Sequence, residues 1–400
     1  MIAKLAWKNL WFKPLDTVLS IVLLASSVAI ITVLILLQKQ FEEKFSSNID
    51  GVDLVLGAQG SPMQLILSSV YHIDNPTGNI SYDSAKVWMK HPFIEKAIPL
   101  AFGDNYLGYK ILGTNSDYLD KYQAKISEGK LFSKNFEVVV GSEIAKKLNL
   151  KIGTKFNGSH GSAKEGEKHE EFNYIVTGIA SPTGKVIDNL ILCNIPSVWQ
   201  MHEIHEEESR HEMTIDKPNM EITAVLLKFR NKMGIVTWPR IIAHNTKMQA
   251  ASPAIEVNRI FSLFGVGLKA LEYLAYAIML ISGISIFIAL YNRLKERKYE
   301  FALMRINGAS RMQLLFLLVI ESLFLVVVGF LFGTIFGRIA ISFISNSAQD
   351  DFKMAFNPFE IVWDKEVILF LVTIFVGVIA ALIPAIKAYR LNISKTLANA

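Results

Sequence analysis

The sequence predicts an α-helical membrane protein with four transmembrane helices, arranged as one and then three, and an α+β extracytoplasmic domain between the first and the second. Hydrophobic residues make up 51% of the 400 residues and charged residues only 19%. This composition is too apolar for an ordinary soluble protein and too charged for a chain buried wholly in lipid. The apolar residues are also concentrated in four long runs, and the chain between the first two runs is of mixed polarity.

Each of the four runs is long enough to cross a bilayer, because a helix needs roughly 20 mostly apolar residues to span the hydrocarbon layer. The first and fourth runs contain no charged residue, and the third is longer than a bilayer requires. We place the transmembrane helices at residues 17–37, 267–291, 313–344 and 367–386.

The positions of lysine and arginine predict the orientation of these helices, because short loops rich in these residues stay in the cytoplasm. The N-terminal segment, the loop between the second and third helices and the C-terminal tail are basic, whereas the loop between the last two helices is acidic. Both termini are therefore expected in the cytoplasm. The remaining segments are an amphipathic cytoplasmic helix at 1–16, an extracytoplasmic domain with stalk helices at 38–266, a cytoplasmic helix and loop at 292–312, an extracytoplasmic loop at 345–366 and a cytoplasmic tail at 387–400.

Within segment 38–266, short apolar runs alternate with helical pieces, which is typical of a mixed α+β domain, in one lobe or two. We expect the first transmembrane helix to continue outward through residues 38–56, and residues 57–78 to be an irregular connection more than a functional loop. A stalk helix should begin at Pro253 and lead into the second transmembrane helix. Cys193 is expected to be buried instead of reactive. The predicted strands are 110–113, 138–140, 174–176 and 223–229.

Three glycines, Gly329, Gly333 and Gly337, recur at four-residue spacing in the third transmembrane helix. Small residues at this spacing allow two helices to approach closely in lipid. The pattern favours packing within one four-helix unit, and a seam between two copies is the alternative.

Two charged residues fall inside the same long apolar run. A carboxylate at membrane depth is costly and is a candidate functional group by default, which applies to Glu321. Since the sequence offers no basic partner at the same depth, it favours a structural hydrogen bond or a neutral acid over a proton relay. Arg338 lies near the outer end of the helix, where snorkelling to the headgroups accounts for it.

Five of the eight histidines lie close to clustered acids in the predicted outer domain. Imidazole and carboxylate groups together suit a divalent cation such as zinc. A solvated loop rich in glutamate, lysine and glycine would have the same composition, and the sequence favours this loop over a metal site. The candidate ligands are His160, His169, His202, His205 and His211.

The loop at 292–312 carries apolar residues that alternate with charges at near-helical spacing. This pattern predicts a short amphipathic helix on the inner membrane surface, ended by Gly308. On composition alone, the helix is a basic anchor that touches anionic lipid.

The same loop resembles the cytoplasmic loop of MacB/FtsX-type permeases, whose pattern is Arg-x-x-Glu, an aliphatic or aromatic residue, x-x-Leu, Lys or Arg, and x-x-Gly-Ala-Ser. Methionine replaces the usual leucine here. Segments 6–15, 137–153 and 384–397 also resemble stretches of this family. The matching loop residues are Arg297, Glu300, Phe301, Met304, Arg305, Gly308, Ala309 and Ser310.

The resemblance implies a permease subunit of the bacterial inner membrane that works with a second permease subunit, as a homodimer or heterodimer, and with a cytoplasmic ABC ATPase. Arg297, Glu300, Phe301, Arg305 and Gly308 would form the region that couples to the ATPase. ATP and magnesium would be bound by that partner, and its closure would move the periplasmic domain. Members of the family extract lipoproteins, export peptides or toxins, or activate cell-wall hydrolases. Membrane lipid and a periplasmic adaptor or substrate protein are further partners, and nothing indicates nucleic acid.

The chain itself is predicted not to be an enzyme. A phosphate-binding loop requires Gly-x4-Gly-Lys followed by Ser or Thr, and the nearest approximation, at 178–186, has the wrong spacing and lacks the hydroxyl residue. The sequence offers no cofactor site other than the zinc candidate. Two alternatives stay open, namely a transporter subunit linked to zinc and a regulator that controls a periplasmic hydrolase without transporting anything.

Overall fold

The computed structural model describes residues 2–159, 173–202, 220–351 and 356–390. The chain divides into two compact units. We call residues 42–262 the outer domain, and residues 1–41 together with 263–400 the helical unit. The helices are α1 (Ile2–Leu10), α2 (Pro14–Ile49), α3 (Pro62–Ser69), α4 (Tyr82–Met89), α5 (Asp117–Tyr122), α6 (Ser142–Lys147), α7 (Ile195–His202), α8 (Met233–Asn245), α9 (Pro253–Glu296), α10 (Lys298–Ile306), α11 (Arg311–Asp351) and α12 (Trp363–Tyr389).

Four of these helices, α2, α9, α11 and α12, are long and apolar enough to cross a membrane. The strands lie between the first two of them, so the predicted fold class is confirmed. The strands are β1 (Leu54–Ala58), β2 (Ile80–Ser81), β3 (Ile94–Tyr106), β4 (Tyr109–Gly113), β5 (Ile126–Gly129), β6 (Glu137–Val140), β7 (Lys155–Phe156), β8 (Tyr174–Ala180), β9 (Ile191–Cys193), β10 (Glu221–Ile222), β11 (Ala224–Phe229) and β12 (Met248–Ala251).

The outer domain is built on a ten-stranded sheet whose strands follow the order β12-β1-β11-β3-β4-β9-β6-β8-β5, with β7 paired to β8. Most pairs are antiparallel, but β4 with β9 and β6 with β8 are parallel. Leu56, Val139 and Leu226 are buried almost completely, as expected of strands covered on both faces. All four predicted strands are present, and Cys193 lies buried in β9, where burial raises the pKa of its thiol.

Two expectations for the start of the outer domain are wrong in part. The helix that should continue to residue 56 ends at Ile49, because Gly51 takes a left-handed backbone (φ +77°) and the chain then enters β1. The supposed irregular connection contains α3, for which the Ser61 hydroxyl accepts a hydrogen bond from the backbone N–H of Gln64 at 3.4 Å. A serine N-cap before a proline at the first helical position is a favourable helix start.

The helical unit has a continuous apolar core to which all four long helices contribute. Polar side chains join the same helices, since the Ser27 hydroxyl donates to the Ala275 carbonyl at 2.8 Å and the Ser322 hydroxyl donates to the Gly377 carbonyl at 2.6 Å. Hydrogen bonds of this kind contribute to helix association in lipid, where burial of apolar surface contributes little. Helix α9 begins at Pro253 and runs unbroken to Glu296, as the stalk prediction required.

The three basic segments of the sequence meet at one end of the helical unit. Lys13 forms an ion pair with Glu296 at 2.5 Å, which links the start of α2 to the end of α9. At the same end, the Lys387 ammonium of α12 donates to the Tyr291 hydroxyl of α9 at 2.7 Å. We call this the basic end.

The opposite end of the helical unit is organised around Arg338. Its guanidinium donates to the carbonyls of Pro358 and Glu360, at 2.8 and 2.7 Å, and to the Glu366 carboxylate at 2.7 Å. Snorkelling is therefore the wrong explanation for Arg338, because the side chain binds the loop between α11 and α12. Gln40 of α2 joins this loop through two hydrogen bonds to the Asn357 backbone.

Candidate functional site

The predicted amphipathic helix in the loop is present as α10, and it is anchored by one side. Phe301 is only 2% exposed and Ala302 is fully buried. Phe301 packs in the core of the helical unit, together with Leu294 of α9 and Ala6 and Leu10 of α1. The position of α10 is therefore set by the burial of Phe301 and Ala302 in this apolar core.

Arg297 and Glu300 form an ion pair at the start of α10. The Arg297 Nε and Nη2 atoms donate to one Glu300 oxygen at 2.7 and 2.5 Å. The guanidinium also lies over the Phe12 ring, 5.5 Å from its centre. Because an exposed ion pair contributes at most about 1 kcal/mol to stability, its main effect here is to orient Glu300, whose side chain is about half exposed.

The sequence Gly-Ala-Ser after α10 ends one helix and begins the next. Gly308 takes φ +95°, a left-handed conformation that suits glycine, and ends α10. Arg305 donates to the Ala309 carbonyl at 2.6 Å. Ser310 then caps α11, because its hydroxyl accepts from the Gln313 N–H at 3.2 Å while the Gln313 side chain accepts from the Ser310 N–H at 2.7 Å. This is the reciprocal pattern of a capping box.

Helix α10 has an exposed apolar stripe that was not predicted from the sequence. Tyr299, Leu303 and Ile306 are 48%, 39% and 58% exposed, and their spacing of four and three residues places them on one helix face. Phe301 points the opposite way. The spacing was readable in the sequence, but which face is buried depends on how Phe301 packs in the core of the helical unit, which periodicity alone does not reveal.

Four buried polar residues of the helical unit join α1, α2, α9 and α11, and these are Asn9, Thr17, Arg293 and Glu321. The Asn9 side chain of α1 donates to Glu321 of α11 at 2.6 Å, and Arg293 of α9 donates to the Thr17 hydroxyl of α2. Glu321 and Arg293 are 1% and 2% exposed and interact electrostatically. The expectation that Glu321 has no basic partner at its depth is therefore wrong, whereas a structural hydrogen bond is present.

The three glycines of α11 face α2 of the same chain. A methyl group built on Gly333 would lie 2.6 Å from Val28 Cβ, and one built on Gly329 would lie 2.7 Å from a Leu24 methyl carbon. At Gly337 the neighbours are the Ala29 carbonyl, at 2.9 Å, and Thr32. The glycines thus lie where two helices of one subunit approach closely.

The zinc candidates fall largely outside the described residues. His202 is the last residue of α7, and only its backbone is described. Among the residues that the structure describes, no group of three or more His, Cys, Asp or Glu side chains is placed to hold a metal ion. The remaining candidates, all outside the described ranges, are His160, His169, His205 and His211.

Comparison with known proteins covers both units. Residues 17–247 match the MacB-like periplasmic core domain, and residues 273–393 match the C-terminal domain of FtsX-like permeases. The crystal structure of the periplasmic region of MacB from Actinobacillus actinomycetemcomitans is similar at 14% sequence identity and a TM-score of 0.35, over 54% of this chain and 97% of that chain. No curated protein matches this chain.

Proposed function

Because this chain belongs to the MacB/FtsX-type permease family, we propose that it transmits the force of ATP hydrolysis from a cytoplasmic partner to its own outer domain. Permeases of this family generally partner with a cytoplasmic ABC ATPase and are generally not catalytic. In this proposal ATP and magnesium bind to the partner, and the present chain supplies the docking surface and the moving parts.

The observation that carries this proposal is the two-sided arrangement of α10. One side is fixed in the core of the helical unit by Phe301, and the other exposes the apolar stripe Tyr299, Leu303 and Ile306. Glu300 is held beside this stripe by Arg297. Apolar anchors surrounded by charged groups are what protein interfaces use for affinity and register. We infer that the stripe and Glu300 dock on the ATPase.

The arrangement of charge supports a cytoplasmic position for this surface. The N-terminal segment, the α10 loop and the end of α12 all carry lysine or arginine and meet at the basic end of the helical unit. Loops enriched in these residues stay in the cytoplasm. We therefore place the basic end, with both chain termini, in the cytoplasm, and the outer domain in the periplasm of a bacterial inner membrane.

Continuous helices supply a route from α10 to the outer domain. A single residue, Arg297, separates the end of α9 from the start of α10, and a single residue, Ser252, separates the other end of α9 from β12 of the outer sheet. Helix α2 similarly leads into the first strand β1. Because α9 is one unbroken helix of 44 residues, displacement of α10 would be passed along it to the outer domain. The substrate would be a lipoprotein, a peptide or another envelope molecule, as in the family, and a second permease subunit would complete the complex.

Reversal of the Glu300 charge tests the docking. The Glu300→Lys variant should insert into the membrane normally but lose at least tenfold of the ATPase stimulation measured with the co-expressed partner. Glu143→Lys is the matched control, because Glu143 also forms a three-residue-spaced ion pair on a short helix, with Lys146 at 3.4 Å, but in the outer domain. Unchanged stimulation in Glu300→Lys, or an equal loss in the control, would rule out this docking surface.

A further inference from the structure

The N-terminal helix α1 is tied to the long helices by polar contacts, although α1 itself is too short to cross a membrane. Asn9 is 5% exposed and donates to Glu321 of α11 at 2.6 Å. On the same helix, Trp7 packs edge-to-face on Phe324 of α11, with ring centres 5.7 Å apart. Helix α1 is therefore attached to the first half of α11 by a directional bond and by an aromatic contact.

The turn between α1 and α2 is tied to the end of α9 by a second set of contacts. Arg293 donates to the Thr17 hydroxyl, which itself donates to the Leu10 carbonyl at 2.6 Å. One turn further along α9, Glu296 pairs with Lys13 at 2.5 Å. The Thr17 hydroxyl thus connects the last residue of α1 to α9.

These contacts converge on the segment that leads into α10. Arg293 and Glu296 occupy the last turn of α9. Arg297, which precedes α10, lies over the ring of Phe12, a residue of the turn between α1 and α2. Leu10 and Phe301 share one apolar core. Displacement of α10 would therefore act on α1 and on the turn that follows it, as well as on α9.

We propose that α1 is a second transmitting element of this permease, in which Asn9, Thr17, Arg293 and Glu321 are positioning residues that pass motion of α10 to α11 and α2. The proposal rests on the proposed function, because it assumes that an ATPase docks on α10. A buried hydrogen bond fixes the position of one helix along another, whereas apolar side chains alone tolerate sliding. The Asn9–Glu321 bond is therefore the link whose loss should uncouple the two helices.

Variants of this link separate its transmitting role from its structural role. Asn9→Leu and Glu321→Leu each remove one partner, and Glu321→Gln keeps an oxygen that accepts from Asn9. The double variant with leucine at both positions leaves neither Asn9 nor Glu321 buried without the other, and Arg293 keeps its hydrogen bond to Thr17, so this variant should fold at least as well as Glu321→Leu. Thr334→Leu is the control, since Thr334 is a polar residue of α11 whose hydroxyl donates to the Leu331 carbonyl of its own helix.

The experiment uses the full chain co-expressed with the ATPase that copurifies with it, and measures copurification and stimulation by Mg-ATP. We expect wild-type copurification in all variants, stimulation reduced at least tenfold in Asn9→Leu and in the double leucine variant, and stimulation within twofold of wild type in Glu321→Gln and Thr334→Leu. Full stimulation in a well-folded double leucine variant would overturn the proposal, as would a loss in Glu321→Gln equal to that in Glu321→Leu. Failure of the wild-type chain to bind or stimulate any ATPase would instead overturn the proposed function.

Discussion

At the scale of single residues, His72 shows how strongly the outer domain disfavours a buried charge. Its imidazole is 9% exposed and hydrogen-bonds with the Tyr118 hydroxyl at 2.7 Å. Burial, with the positive charges of Lys110 and Lys121, lowers the pKa of His72 to about 3. Between about pH 3 and pH 6.5 the histidine is therefore neutral in the folded domain, whereas the unfolded chain binds a proton.

This shift predicts that acid destabilises the outer domain. Because the pKa of His72 is lower in the folded state, its contribution to stability is present above about pH 6.5 and is lost as the pH falls toward 3. Between pH 7.5 and pH 5 the loss in the free energy of unfolding should be about 2 kcal/mol.

Hydrogen exchange of the buried strands in the solubilised chain measures this loss of stability. His72→Asn, which tolerates the left-handed backbone of this position (φ +57°), should flatten the dependence, whereas the exposed-site control His244→Asn should not. A steep dependence in His72→Asn would contradict this assignment.

Gly333 makes a second prediction at this scale, for the helical unit. A side chain there would meet Val28 Cβ and the Ala25 carbonyl at under 3 Å. Overpacking of a tight contact costs about 1–3 kcal/mol, so Gly333→Leu should lower the melting temperature of the detergent-solubilised protein. Gly267→Leu is the control, because an added Cβ at Gly267 meets nothing within 4 Å. Equal melting temperatures for the two variants would show that α2 and α11 separate easily.

At the scale of elements, a substitution in the exposed apolar stripe of α10 tests whether this stripe contributes to docking independently of the charge of Glu300. Leu303→Asp places a charge on the apolar face while Phe301 still anchors the helix. Burial of a leucine side chain is worth about 1.5–3 kcal/mol, so the amount of copurified ATPase should fall at least tenfold. Ile241→Asp makes the same kind of change at a similarly exposed residue of α8 in the outer domain. Normal copurification of Leu303→Asp would exclude the stripe from the interface.

The elements also show what the sequence can predict. The long helices, the four strands and α10 follow from hydropathy, periodicity and Gly308, because each is specified by residues close together in the chain. The contact of Gln40 with the loop at Asn357 and the Asn9–Glu321 bond join residues far apart in the sequence. Such contacts depend on which helices become neighbours. Local pattern therefore predicted the helix α10, and the family resemblance identified it as the candidate site, but neither predicted its exposed face or its buried attachments.

At the scale of the whole molecule, the two ends of the helical unit differ in chemistry. The basic end brings together the N-terminal segment, α10 and the end of α12, whereas the other end holds the loop bound by Arg338 and Gln40. If the basic end is cytoplasmic, a reagent outside the inner membrane should reach only the other end. Sidedness is therefore testable without knowledge of the substrate.

Cysteine labelling can test this arrangement because the native cysteine, Cys193, should not react with the reagent. Cys193 is fully buried, and burial raises the pKa of its thiol, so the reactive thiolate is scarce. Phe359, in the loop between α11 and α12, and Ile306, at the end of α10, are 82% and 58% exposed. In cells with a permeabilised outer membrane, a membrane-impermeant maleimide should label Phe359→Cys at once and Ile306→Cys only after the inner membrane is opened. The unsubstituted chain should stay unlabelled. Immediate labelling of Ile306→Cys would reverse the orientation and would place α10 beyond the reach of a cytoplasmic ATPase.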